Sequence, residues 1–158
     1  MRALGIDFGE RRIGLAISDP AGRLALPLLT IERETDRKAI GRIAEIAGRE
    51  GVERLVVGEP VGLDGERGPA ARRARAFAER LAARTGLPCE LVDEALSTVE
   101  ARARLEASGA KGADLRRDPG RIDAVAAQIL LQDALDRQAG RPEQADDARA
   151  TAEPGSRA

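Results

Sequence analysis

Residues Arg2–Ser18 read RALGIDFGERRIGLAIS, and one aspartate set among glycines in this stretch decides how the fold is read. Strand alternation sends Leu4, Ile6 and Phe8 to one face and Gly5, Asp7 and Gly9 to the other. Asp7 is thus flanked on its own face by residues with no side chain. A carboxylate in a buried strand is costly unless it is paired or holds a metal, and the glycines leave room for something to approach it. Two readings stay open on pattern alone: Asp7 faces a cation, or it pairs with an arginine at the end of the sheet. Arg2–Phe8 is expected as a first strand and Glu10–Arg12 as the turn. Ile13–Ser18 then forms a second strand with Ile13, Leu15 and Ile17 on one face.

Working outward, Ser18-Asp19-Pro20-Ala21-Gly22 is turn chemistry. A third strand is expected from Leu24 to Ile31, and Pro27 within it points to a sheet edge. Ile40, Ile43, Ala44 and Ala47 then recur at helical spacing, with Gly51 closing the helix. Arg54–Gly58 reads as a buried strand. Gly62, Gly65 and Gly68 punctuate a loop before Pro69 opens a second helix, which carries Ala70, Ala74, Phe77, Ala78 and Leu81 on one stripe and ends at Gly86. Cys89–Val92 is a fifth strand. Ser97–Ala107 is expected to be helical and Ser108–Arg117 a loop. Asp118 and Pro119 supply a cap and a first position for a last helix. That helix runs to Gln138, with Ile122, Val125, Ala126, Ile129 and Leu130 inward.

Short links between the first three strands imply an antiparallel meander, and helical crossovers to the later ones imply parallel pairing. The predicted class is α/β, a mixed five-stranded sheet flanked by helices, in one domain over residues 1–138. Residues 139–158 lack apolar period and are expected to be a disordered tail.

Composition narrows the chemistry. The 158 residues suffice for one domain with its own core. Aromatic residues are limited to Phe8 and Phe77, so the core must come from Leu, Ile, Val and Ala. The 26 basic and 27 acidic residues leave no bulk charge to attract a polyanion, which argues against a broad, sequence-blind nucleic-acid coat but allows a local patch. Lysine occurs only at Lys38 and Lys111, a bias better explained by composition than by phosphate clamps. The chain has no histidine, which removes His-based acid–base chemistry, His-ligated metal and Ser-His triads. Cys89 stands alone and is expected to be an inert buried thiol. With no signal-like amino terminus and no apolar run long enough for a membrane helix, a soluble, cytoplasmic protein without a membrane partner is expected.

Two further carboxylate positions join Asp7. Asp93-Glu94 follows the apolar Leu91-Val92 at a strand's carboxyl end, where open α/β sheets place their sites; alone, such a pair also caps or solvates. Asp123 opens an otherwise apolar helix, where a negative charge is favourable on its own. Together, carboxylates on three separate elements suit magnesium, which takes hard oxygen ligands, and a carboxylate-held ion pair about 4 Å apart can hydrolyse a phosphodiester. Ser97-Thr98 either caps the next helix or touches a phosphate. Among the basic clusters, Arg116, Arg117 and Arg121 lie nearest Asp123 in sequence, and Arg11-Arg12 follows Asp7. The glycine loop lacks the Gly-Lys-Ser/Thr ending of a phosphate loop.

Gly5-Ile6-Asp7-Phe8-Gly9 with Arg12-Ile13-Gly14-Leu15-Ala16-Ile17-Ser18-Asp19 resembles the opening of the YqgF family, described both as pre-16S rRNA nucleases and as Holliday-junction resolvases. Val56-Val57-Gly58, Pro60 and Asp64-Gly65 resemble its central motif. Asp93-Glu94 with Leu96-Ser97-Thr98-Val99-Glu100-Ala101 resembles its acidic motif, and Asp123-Ala124-Val125-Ala126-Ala127 with Ile129-Leu130-Leu131-Gln132 its last helix. The likeness runs in order over residues 2–136. It implies a ribonuclease H-like fold and a Mg²⁺- or Mn²⁺-dependent nuclease, with Asp7, Glu94 and Asp123 as catalytic metal ligands and Arg12, Ser97, Thr98, Arg116, Arg117 and Arg121 toward substrate. The expected partner is nucleic acid, precursor rRNA above branched DNA, for a monomer or homodimer. A non-catalytic nucleic-acid-binding module is the alternative from another class. A two-domain sugar-kinase or actin-like ATPase is excluded by length. Two positions depart from the family: Ala95 stands where an arginine is usual, and Glu59 where a neutral residue is usual. Glu94 is expected to be the ligand, and Glu59 to support the site or face substrate.

Overall fold

The computed structural model describes residues 1–60, 68–93, 103, 106–107 and 119–140. Its strands are β1 (Ala3–Phe8), β2 (Arg12–Ser18), β3 (Ala25–Glu32), β4 (Arg54–Glu59) and β5 (Cys89–Asp93). Its long helices are α1 (Asp36–Arg49), α2 (Pro69–Thr85) and α3 (Pro119–Ala139). The sheet order is β3-β2-β1-β4-β5. β2 pairs antiparallel with both β1 and β3, whereas β4 runs parallel to β1 and to β5. The expected meander and parallel half are both present.

Local chemistry sets these links. At the first hairpin the Gly9 amide donates to the Arg12 carbonyl at 3.0 Å, so Arg12 opens β2 rather than belonging to the turn. In the next turn Asp19 accepts from the Arg23 and Leu24 amides at 2.7 and 3.1 Å. Those bonds, Arg23 first, hold its carboxyl below the usual range. Thr35 caps α1 by accepting from the Lys38 amide at 3.2 Å, a start that the apolar spacing alone did not disclose. α2 has proline in its first turn and ends on Gly86, whose φ of 72° is the left-handed geometry glycine tolerates.

Strand parity divides the core into two layers. Leu4, Ile6, Phe8, Ile13, Leu15, Leu55 and Val57 pack against Ile40 and Ile43 of α1 and Phe77 and Leu81 of α2. On the opposite face, small residues dominate: Ala3, Ala16, Val56 and Val92 meet Ala127, Leu130, Leu131 and Ala134 of α3. β1 lies at the sheet's centre, and all six of its residues are buried. Of the five residues expected inward on α3, Ile122, Ala126, Ile129 and Leu130 are buried and Val125 is partly so, but they do not form one stripe. Ile122, Ala126 and Ile129, with Val125 beside them, form a separate cluster, while the Ala127, Leu131 and Ala134 side lies on the sheet. A helix apolar around most of its circumference carries no single stripe to read.

Pro27 does sit in an edge strand. There α3 also covers exposed backbone: the Gln128 amide donates to the Ala25 carbonyl at 3.0 Å, and the Gln132 side-chain oxygen accepts from the Ala25 amide at 2.9 Å. Cys89 is partly rather than fully buried, and burial, then the Glu90 charge, pushes its thiol up to about 11. It is therefore protonated and unreactive near neutrality. No described helix is long and apolar enough to cross a membrane. The 97–107 helix is described only at residues 103, 106 and 107, which are helical. The expected loop over 108–117, the Asp118 cap and the tail beyond Gly140 lie outside the described residues.

The two aromatic rings meet across the larger layer, Phe8 and Phe77 having centroids 4.5 Å apart. Phe77 is 1% exposed. Phe77→Ala should therefore cost about 3–5 kcal/mol, read in urea unfolding as a lower midpoint at unchanged slope. A loss below about 1 kcal/mol would show that this layer tolerates the void.

Candidate nuclease site

Asp7 is 5% exposed, in a strand whose every residue is buried. Its Cα partner across β2 is Gly14, and the partner of Gly14 across β3 is Thr30. Directly opposed residues share a face, so Asp7, Gly14 and Thr30 form one row on the α3 side of the sheet. The first turn of α3 lies over that row. A Cβ built on Gly14 would fall 2.0 Å from the Asp123 carbonyl oxygen, so only the missing side chain lets the helix backbone come this close. Farther along the helix, a Cβ on Gly5 would lie 2.7 Å from the Leu131 Cβ. Thr30 Oγ1 donates to the Gly120 carbonyl at 2.5 Å. The sheet thereby fixes where α3 starts, and brings residue 123 over the pair of Asp7.

Arg12 stands two residues from Gly14 on the same face, and its Nε donates to Asp123 Oδ2 at 2.8 Å. The two side chains are 37% and 24% exposed, so solvent screening limits the pair to about 1 kcal/mol. The contact fixes the direction of the Asp123 carboxylate. Arg121 is exposed and, with Arg12, Thr30 and Gly120, lines a groove of about 670 Å³ along β3. Glu94, Ala95, Ser97, Thr98, Arg116 and Arg117 lie outside the described residues. Among the described residues no group of three or more His, Cys, Asp or Glu side chains is arranged to hold a metal.

Glu59 departs from expectation. It ends β4 on the same face as Leu55 and Val57, which belong to the α1/α2 layer. It is 3% exposed, and Arg75 of α2 donates to its Oε1 at 3.3 Å. It shares a sheet end with Asp7 but faces the opposite layer, so the substrate-facing role is corrected. Sequence reasoning also missed Arg33. Its guanidinium lies 4.4 Å from the Phe8 ring, ion-pairs with Asp36 at 2.8 Å, and donates to the Gly9 and Glu10 carbonyls at 3.4 and 3.3 Å. It clamps the hairpin that follows Asp7. No local pattern announces it, whereas Gly14 inside a β-branched strand was a usable sign of close backbone approach.

A mixed sheet in this order, helices on both faces and a buried aspartate on the central strand define the ribonuclease H-like class. Two solved structures share the fold. One is Thermus thermophilus RuvC in complex with Holliday junction substrate, with TM-score 0.56 and 20% identity, covering 89% of this chain and 96% of that one. The other is fowlpox virus resolvase with substrate Holliday junction DNA, with TM-score 0.54 and 10% identity, covering 87% and 99%. The chain belongs to the RuvX family, described as Holliday junction resolvase, whose model matches residues 1–137; this is the YqgF family of the sequence motifs. A relative from Anaeromyxobacter sp. (strain K), named "Putative pre-16S rRNA nuclease", is 48% identical over 139 residues, 88% of this chain and 99% of its own. A Chloroflexus aggregans relative of the same name is 46% identical over 133 residues, 84% and 92%.

Two variants test this geometry. Gly14→Ala should lift the first turn of α3, cost about 1–3 kcal/mol, and depress cleavage although no catalytic group is removed; wild-type Tm and turnover would show that the helix start is not set there. Glu59→Leu should keep both fold and cleavage, because the Arg75 side chain it leaves unpaired is 45% exposed and can be solvated, while leucine fills the buried position. Loss of cleavage with an intact Tm would return Glu59 to the site.

Proposed function

We propose that the chain is a divalent-metal-dependent endonuclease that cleaves precursor 16S rRNA at its 5′ end during ribosome biogenesis in the cytoplasm, with residues 1–138 as the nuclease domain and 139–158 as a tail outside it. The carrying observation is the Asp7–Gly14 pair lying under the Asp123 turn, which unites two carboxylate-bearing elements on one face. The names of the relatives favour rRNA. A second reading, cleavage of branched DNA, is favoured by the family's description.

The residues suit Mg²⁺ or Mn²⁺: a buried carboxylate beside glycines, oxygen donors, and no histidine in the chain. Asp7 and Asp123 would hold the ion, with Glu94 as the third ligand. Val92, two residues before Glu94, faces α3 as Asp7's row does. When bound, the ion would polarise the phosphodiester and ease deprotonation of the attacking water. Arg12 orients Asp123 and stands ready to meet a phosphate. Arg116, Arg117 and Arg121, with Ser97 and Thr98, are proposed as the further substrate contacts.

Purified protein with Mg²⁺ should cleave a precursor 16S rRNA fragment in preference to a four-way DNA junction, and excess EDTA should stop it. Asp7→Asn should abolish cleavage while the chain still folds, since the amide keeps the carboxylate's shape and loses only the charge that would hold the ion. Full activity in EDTA would sink the metal mechanism, and wild-type turnover in Asp7→Asn would make Asp7 structural.

A further inference from the structure

Beside the Arg12–Asp123 pair lies a groove whose lining does not include Asp7 or Asp123. It runs between β3 and the first turns of α3, and its lining includes Pro27, Leu28, Thr30, Arg121 and Val125. Its volume of about 670 Å³ suits a ligand of one or two nucleotides. Three features define what fits. First, Arg121 is exposed and makes no ion pair among the described residues, so its guanidinium is available to a phosphate or a base face. Glu32 also lines the groove and is its acidic residue, so a phosphate would favour the side on which Arg121 stands. Second, β3 is an edge strand. Beyond Ala25, whose amide and carbonyl the glutamines cover, its outer backbone can hydrogen-bond base edges. Third, the apolar floor of Leu28, Ala124 and Val125 suits the flat face of a base but offers nothing to a charged duplex backbone.

We infer that this groove holds an unpaired segment of the polynucleotide substrate, one strand leaving the Asp7–Asp123 site along the β3 edge past Arg121. The inference rests on the nuclease reading above and adds the form of substrate: single-stranded beside the cut. Unpaired bases stack on arginine planes as well as on aromatic rings, and in a chain with two phenylalanines, both buried, arginine is the available platform. A short local grip also agrees with a net charge of -1, which does not favour binding along a whole duplex.

The test uses the full chain with Arg121→Ala, Arg121→Lys and Pro27→Glu. Both positions are exposed, so the fold should persist, with Tm as the check. Binding of a fluorescein-labelled single-stranded RNA dodecamer is followed by anisotropy with Ca²⁺ replacing Mg²⁺. Arg121→Ala should weaken binding about tenfold and reduce the salt slope by about 0.7. Arg121→Lys should recover the slope but not all of the affinity, and Pro27→Glu should weaken binding by repulsion. With Mg²⁺, kcat/KM for Arg121→Ala should fall about tenfold further on RNA than on bis(p-nitrophenyl) phosphate, which is too small to enter the groove. A DNA strand of the same sequence separates the two sources of substrate, and Arg121 dependence with either one supports the groove. Wild-type RNA binding by both Arg121→Ala and Pro27→Glu, or equal competition by a blunt duplex, overturns the inference while leaving the nuclease intact. A wild-type protein that cleaves neither RNA nor the small ester overturns the nuclease reading instead, and the anisotropy arm still decides the groove.

Discussion

The contact between the α3 backbone and the glycines of β1 and β2 governs the rest of the molecule. At Gly14 there is no space for even a methyl group between sheet and helix, and at Gly5 there is hardly more. Interiors are packed too densely to absorb such a misfit by local adjustment. The height of α3 above the sheet is thereby fixed by two absent side chains, and its axial position by Thr30 and the two glutamines that grip β3. Everything on that face follows from this: the small residues of the layer, the cover over the edge strand, and the location of Asp123.

The two faces of the sheet divide the work. The layer beneath α1 and α2 holds the large side chains and the single aromatic pair, and carries the usual cost of a core. The α3 layer is thin and alanine-rich, which lets the start of the helix approach β2 closely. Arg33 adds stiffness from the side, pinning the hairpin between β1 and β2 against Phe8 and Asp36. Asp7 is thus held by strands on both sides, and no flexible loop positions it.

Much of this was legible from residue types. Alternation around Asp7 gave both the strand and the face of the aspartate, and helix punctuation at Pro69 and Gly86 located α2 to the residue. The limits have physical causes. β4 is apolar on both faces, so its parity carries no label saying which face meets α3, and Glu59 could not be assigned by pattern. The Arg12–Asp123 pair joins residues 111 apart and leaves no local trace. α3 is apolar around most of its girth, which hides its sheet-facing side. The family likeness located the acidic positions, but only the packing at Gly14 explains how the first and last of them share a face.

The order in which the chain is made gives this architecture a temporal consequence. Asp7 lies in β1 and Asp123 more than a hundred residues later in α3, the last described helix, and the surface that joins them is the α3 layer. Until residues near Leu135 have emerged, Ala3, Ala16, Val56 and Val92 lack their cover and the Asp7 row lacks its roof. Domains form as units during synthesis, amino-terminal parts first, so a nascent chain can assemble the α1/α2 layer and most of the sheet while the opposite face still waits for α3. A nascent chain that stops short of Leu135 therefore leaves the alanine-rich face of the sheet, and the row that holds Asp7, uncovered.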